Sequence, residues 1–275
     1  MKSIKDSNRV IIKIGSSLLI NKGSGINTKF LDEVVEDISS LKKEGIEILI
    51  VSSGAIELGK VELNKNNEKL TLSESQAASS IGQIKLINAW KSAFEKENIP
   101  TAQILITAED TENRKRFLNA RTTIEELLKD NFIPIINEND TVATSEIKYG
   151  DNDRLAARIA GMVSADCLLL LSNVNGLHEK DPNIEKSEII LEVENIDQNI
   201  IDMAGKASPM GKGGMKTKIE AAKIATKTGC YMIISSGTNK KPISSVKKGE
   251  VGTWFSPQSK NINALKSWIS GSINT

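Results

Sequence analysis

Histidine is nearly absent from this 275-residue chain, and cysteine is scarce: His178 stands alone, beside only Cys167 and Cys230. That scarcity excludes metal sites built on imidazole and thiolate ligands. It also weighs against a histidine-activated nucleophile, because His178 sits in a Gly-Leu-His-Glu-Lys-Asp-Pro turn and makes an unpromising base. Both cysteines lie in apolar, strand-like runs, where buried reduced thiols and a reducing compartment are the expectation. No apolar run approaches the roughly 20 residues that span a bilayer. The N-terminal residues 1–9 lack the apolar core of a signal peptide. Excess charge of one sign is missing too, with 36 Lys and Arg against 35 Asp and Glu, which gives no support for a nucleic-acid partner. A cytoplasmic protein with no membrane contact is the expectation. Two catalytic signatures are absent as well: there is no Gly-x-x-x-x-Gly-Lys-Ser/Thr loop and no Gly-x-Ser-x-Gly elbow.

What the chain does have is apolar content, 39% of residues, enough for a sizeable core. Short β-branched runs at 10–14, 46–51, 103–106, 132–136, 167–171 and 231–234 read as buried strands. Stretches at 29–43, 73–97, 115–129 and 154–163 read as helices with mixed faces. A further helix follows the segment 211–218 and ends at Thr228-Gly229. Strict alternation predicts a mainly parallel sheet with helices on both faces and right-handed crossovers. Residues 60–71 read as a polar excursion, 180–212 as a partly irregular lobe, and 264–269 as a last helical piece.

Four loops hold the candidate chemistry. Ile136-Asn137-Glu138-Asn139-Asp140 turns abruptly polar after an apolar strand, and the same segment runs on to Gly150-Asp151-Asn152-Asp153. In open α/β sheets ligands bind outside the carboxyl ends of the strands, so this cluster suits a small ligand bearing an amine and carboxylates. A capped, solvated loop is the alternative, and Asp153 is either a helix cap or an anion that orients two lysines. Lys13-Ile14-Gly15-Ser16-Ser17 ends the first strand, where an ammonium and backbone N–H groups can meet phosphate. In Ser52-Ser53-Gly54-Ala55 the glycine permits close backbone approach and the serines can donate to a carboxylate, or one of them simply caps a helix. In Gly211-Lys212-Gly213-Gly214-Met215-Lys216-Thr217-Lys218 glycines and a helix start can wrap an anion, with a flexible basic loop as the plainer reading. Together the loops suggest phosphoryl transfer, which rests on positioning and charge stabilisation, often with Mg²⁺. A carboxylate acceptor is already ionised at neutral pH and needs no general base, which suits a site rich in lysine and poor in histidine. Any Mg²⁺ would be held mostly by nucleotide phosphates, with no ligand assigned on the chain itself.

The motifs Lys13-x-Gly-Ser-Ser, Ser52-Ser-Gly-Ala, Phe117-Leu-Asn-Ala-Arg121, Ile136-Asn-Glu-Asn-Asp140, Gly150-Asp-Asn-Asp153 and Gly213-Gly-Met-x-Thr-Lys218 resemble those of the glutamate 5-kinases. These enzymes form part of the amino acid kinase superfamily. The likeness runs from about residue 9 to residue 256, with the motifs in order. It implies a three-layer αβα sandwich around a central mainly parallel sheet, over a single domain at 1–256 with a short tail at 257–275. It implies ATP-dependent, Mg²⁺-assisted phosphorylation of the γ-carboxylate of L-glutamate, the opening step of proline synthesis. By motif position Ser53, Gly54, Ala55, Asn137, Asp140 and Asn152 are assigned to glutamate. Lys13 and Lys218 are assigned to the transferring phosphoryl group, with Asp153 holding them. Lys13, Gly15, Ser172, Asn173 and residues Lys212, Gly213, Gly214, Met215, Lys216, Thr217 and Lys218 are assigned to the nucleotide. Family members commonly show Thr-Asp where this chain has Ser172-Asn173, which keeps the hydroxyl and loses a charge. Many also carry a C-terminal PUA domain, which this sequence is expected to lack. Proline as feedback inhibitor and a dimer or tetramer follow from the same resemblance. The alternatives are a kinase for another small acid (N-acetylglutamate, aspartate or carbamate) or an inactive amino-acid-binding regulator.

Overall fold

A computed structural model describes residues 3–21, 23–143, 152–180, 187–205, 214–247 and 252–258. After a short 3₁₀ turn, β1 (Arg9–Ile14) runs into a one-turn helix, α1 (Ser16–Leu19), and a small antiparallel ladder of β2 (Ile20–Asn21) and β3 (Gly25–Ile26). Helix α2 (Thr28–Lys43) starts at Asn27, whose side chain accepts from the Phe30 N–H, an N-cap that satisfies one orphan donor. Strand β4 (Glu47–Ser52) leads to α3 (Ala55–Glu62) and the long α4 (Leu72–Glu95). Thr71 and Glu74 close a reciprocal capping box at the start of α4. Then come β5 (Thr101–Ile106), α5 (Ala108–Glu112), α6 (Arg114–Lys129) and β6 (Ile133–Glu138). The second half holds α7 (Asn152–Met162), β7 (Cys167–Ser172), the β8 (Leu177–His178) and β9 (Ile189–Ile190) ladder, β10 (Glu192–Val193) and α8 (Gln198–Met203). It closes with α9 (Met215–Lys227), β11 (Tyr231–Ser236), α10 (Pro242–Lys247) and β12 (Thr253–Phe255).

Eight of these strands form one sheet in the order β10-β12-β11-β7-β1-β4-β6-β5. Every pairing within it is parallel except β11 with β12. Side chains alternate between the two faces of a strand, and the core divides accordingly. Val10, Ile12, Ile14, Ile48, Ile50, Leu169 and Leu171 pack with α2, α3, α4 and α10. Ile11, Leu49, Val51, Leu168 and Leu170 pack with α6, α7 and α9. The result is the expected αβα sandwich. Chain order matters for the site: β1, β4 and β6 progress toward one edge, and α7 then carries the chain back to β7 on the other side of β1. Such a reversal opens a crevice at the carboxyl ends of the central strands.

Three expectations change. Asn137 and Glu138 do not lie past the strand but inside β6, because the edge strand β5 extends alongside and pairs Leu105 with Asn137 and Ile106 with Glu138. The polar excursion at 60–71 begins as helix, since α3 continues through Glu62. The part-irregular lobe at 180–212 contains β9, β10 and α8, while 181–186 and 206–213 lie outside the described residues, as does the 264–269 piece.

Helices α3 and α4 touch almost backbone to backbone. A Cβ on Gly82 would sit 1.8 Å from the Ala55 carbonyl oxygen, and one on Gly59 equally close to that of Ala78. Gly82→Ala is therefore expected to destabilise the protein by about 2 kcal/mol or more, the scale of core overpacking. Denaturant unfolding measures it; an unchanged midpoint would show that the two helices part without cost.

Candidate active site

The parity of each strand decides which way its polar end residues face. Lys13 shares the parity of Ile11 and lies on the α7–α9 side, whereas Ser52 and Asn137 share that of Ile50 and Ile135 and face α4. Helix α7 begins between these two sets, and its first two residues serve one each.

Asp153 is buried and binds both lysines. Its Oδ1 lies 2.6 Å from Lys13 Nζ and its Oδ2 2.9 Å from Lys218 Nζ, with both lysines under 10% exposed. Thr217, in the first turn of α9, brings its hydroxyl within 3.2 Å of Oδ2. Burial alone pushes the Asp153 carboxyl up, but the charges of Lys13 and then Lys218 outweigh it and hold the pKa down at about 2. A position in the first turn of α7 places the anion at the positive end of that helix as well. Two ammoniums thus share one carboxylate. Arg154 pairs with Glu220 and ties α7 to α9 beside it.

Asn152 belongs to the other half. Its Nδ2 donates to the Ser52 carbonyl at 3.1 Å, to Ser53 Oγ at 2.9 Å and to Asn137 Oδ1 at 3.0 Å. Asn137 Oδ1 also accepts from the Glu138 N–H at 2.9 Å, and its Nδ2 donates to Gln83 Oε1 at 2.7 Å. A carbonyl can only accept and a backbone N–H can only donate, so these two main-chain groups fix which end of each amide is which. One atom is then left over: Asn152 Oδ1 is buried and has no hydrogen-bond partner. A buried acceptor without a donor is costly, and a ligand N–H or ammonium would satisfy it. Asp140 completes this half, accepting from Ser79 Oγ at 2.6 Å. Ser79, Gln83, Glu138 and Asp140 line one cavity of about 290 Å³.

The other expected residues fall as follows. Ser52, first read as a possible carboxylate donor, is fully buried and takes the Trp90 indole N–H at 2.9 Å, so it serves the core. Gly54 has φ 114°, and a Cβ there would lie 2.6 Å from Ile20 Cδ1; the glycine is required by backbone shape. Ala55 is buried at the start of α3. Gly15 and Gly214 precede the first turns of α1 and α9, with Met215, Lys216 and Thr217 in the latter. Ser172 ends β7 with its hydroxyl 3.2 Å from Asn173 Oδ1. Lys212 and Gly213 lie outside the described residues, as does 144–151. His178 occupies the β8–β9 ladder, its ring nitrogens near Ser187 O and Asn175 Oδ1. No cluster of three or more His, Cys, Asp or Glu that could hold a metal occurs among the described residues.

Sequence reasoning read α4 as a helix but missed its contacts with the candidate site residues. Gln76 donates to the Ala143 carbonyl, Ser79 binds Asp140, Gln83 accepts from Asn137 and Trp90 binds Ser52. Positions 76, 79, 83 and 90 form a stripe at helical spacing. The signal was available: polar residues occupy the same stripe as the buried Leu86 and Trp90.

Removing the shared anion should be severe. Asp153→Asn is expected to cost about 3–5 kcal/mol, the scale for leaving buried charges without their partner. The carboxyl pKa is depressed on folding, so its contribution is present above the ordinary aspartate range and is lost as pH falls through about 2. The stability gap between the two forms should therefore begin to narrow below about pH 5 and continue to narrow down to about pH 2. Unfolding curves at several pH values test this, and a gap that does not depend on pH contradicts it.

The amino acid kinase family model matches residues 8–236. Over 267 residues, 96% of this chain and 69% of the relative's, the sequence is 50% identical to the glutamate 5-kinase of Rhizobium johnstonii. It is 48% identical to that of Agrobacterium fabrum over 274 residues, 99% of this chain and 70% of the relative's. Among solved structures, the UMP kinase of Ureaplasma parvum superposes with a TM-score of 0.63 at 17% identity, covering 93% of this chain and 100% of that one, a likeness of fold. With the family model spanning most of the chain and about half of the residues shared with these relatives, the chain belongs to the amino acid kinase family and, within it, to the glutamate 5-kinases.

Proposed function

We propose that the protein transfers the γ-phosphoryl group of ATP to the γ-carboxylate of L-glutamate, giving γ-glutamyl 5-phosphate for proline synthesis. The observation that carries this reading is the division of labour at the start of α7: Asn152 faces the polar acceptor groups while Asp153 holds two lysines. One residue step thus joins a site for an amino acid to a site for transferring charge.

The acceptor half is suited to glutamate by its donors and acceptors. Asn152 Oδ1 and Asp140 offer acceptors to the α-ammonium, and Ser53 supplies a hydroxyl. The γ-carboxylate is ionised at neutral pH and attacks the γ-phosphorus directly. A new C–O–P bond forms, the bond to the β,γ-bridging oxygen breaks, and ADP leaves with that oxygen. No proton needs to move, which agrees with a site without histidine. Two anions must approach each other, and Lys13 and Lys218 offset that repulsion and the charge spread over the transferring oxygens. Both Asp153 oxygens already bind lysine, so Mg²⁺ arrives on the ATP phosphates as part of that substrate. Lys13, Gly15, Ser172, Asn173 and residues 212–218 receive the nucleotide. Proline inhibition, a dimeric or tetrameric assembly and a cytoplasmic location accompany this reading on family grounds.

The test is ATP-dependent acyl-phosphate formation across glutamate, N-acetylglutamate, aspartate and carbamate. Glutamate is the expected acceptor; preference for another, or tight glutamate binding without turnover, overturns the reading. Lys218→Met should lower kcat roughly a hundredfold with modest change in glutamate KM, because it removes a charge stabiliser of the transition state. A near-normal kcat would strip Lys218 of that role. Asp140→Ala should act on binding instead, raising glutamate KM about tenfold or more, as expected for a lost charged hydrogen bond. An unchanged KM would place Asp140 outside the acceptor site.

A further inference from the structure

We propose that Gln83, on α4, is a positioning residue that sets the acceptor site for a free amine by holding a two-step amide relay. The inference rests on the glutamate reading above. Gln83 Oε1 accepts from Asn137 Nδ2 at 2.7 Å, and Asn137 Oδ1 in turn accepts from Asn152 Nδ2 at 3.0 Å. Every donor of the Asn152 amide therefore faces protein, and its Oδ1 is the atom left for the substrate. At neutral pH the only N–H donor on glutamate is its α-ammonium. Asn137 and Asn152 are both buried, so neither amide can trade its protein partner for water at little cost.

Gln83 reaches Asn137 only because α4 packs closely on α3 one residue earlier, at Gly82. The rest of the α4 stripe works in the same direction: Ser79 orients Asp140, and Trp90 fixes the Ser52 side chain on the residue whose carbonyl Asn152 holds. The contact is side chain to side chain across 54 residues, and it ends on an amide rather than in the lysine cluster. Loss of the Gln83 oxygen should accordingly loosen Asn152 and weaken amine recognition, while the transfer lysines on Asp153 stay in place.

The experiment compares three forms of the full chain by ADP release under saturating Mg-ATP and by thermal unfolding. Gln83→Met keeps the length and removes the acceptor; Gln83→Glu keeps an acceptor oxygen; Gln83→Leu is a second acceptor-free form. Gln83→Met and Gln83→Leu should raise glutamate KM about tenfold, the scale of one buried donor left unpaired, with kcat and ATP KM nearly unchanged. Gln83→Glu should stay within about threefold of the unaltered protein, since it still accepts from Asn137. An unchanged glutamate KM in the folded acceptor-free forms overturns the relay. So does an equal loss in Gln83→Glu, which would mean that Gln83 donates to the substrate carboxylate directly. A fall in kcat of the same size as the KM rise would assign Gln83 to the transfer step instead. If the unaltered protein fails to phosphorylate glutamate, the functional reading has failed and the relay has no amine to recognise.

Discussion

The site depends on one buried carboxylate shared by two buried ammoniums. Lys13 comes from the first strand, Lys218 from a helix more than two hundred residues later, and Asp153 from the helix between them. None of the three charges is tolerable there alone, because taking an isolated ion out of water costs more than any local packing returns. Together they compensate one another, each lysine Nζ lying within 3 Å of one Asp153 oxygen. The depressed pKa of Asp153 follows from the same arrangement, as attraction from two lysines outweighs the penalty of burial.

A second constraint comes from α4, which the sequence marked only as a helix with mixed faces. Glycines at 59 and 82 let α3 and α4 approach until backbone meets backbone, and that approach brings a polar stripe of α4 against the ends of β4 and β6. The amide network is thus backed by a helix rather than by a loop, which limits how far its amides can wander. The two halves meet at consecutive residues. Neighbouring helical residues point about 100° apart, so Asn152 and Asp153 naturally face different elements. A single helix start therefore sets the spacing between the amide network around Asn152 and the lysine cluster around Asp153.

Much of the fold was legible because its period is simple. Buried parallel strands are apolar runs, and the strand cores of β1, β4, β6, β7 and β11 fall where those runs lie. Boundaries failed where a neighbour decided them. Asn137 and Glu138 look like loop by composition, yet β5 supplies backbone partners and draws them into β6. The short helices α3, α5 and α10 and the three-residue strand β12, antiparallel to β11, carry too little periodicity to be read locally. Ser52 and Ser53 illustrate the limit well: adjacent and chemically alike, they separate only because strand alternation turns one toward Trp90 and leaves the other to Asn152.

By itself the sequence determined the class of chemistry: lysines and glycines at strand ends, carboxylates and amides after an apolar run, and hardly any histidine. These are matters of composition and local order, which the chain carries whether folded or not. Only the tertiary structure decided how the two Asp153 oxygens divide between Lys13 and Lys218, which end of Asn152 is left unpaired, and that Gln83 stands behind it. The contacts of Gln83 and of the two lysines join residues 54 to 140 positions apart through a parallel sheet whose crossovers bring distant strand ends side by side. Partner choice of that kind is set by register and burial, and neither exists before the sheet forms.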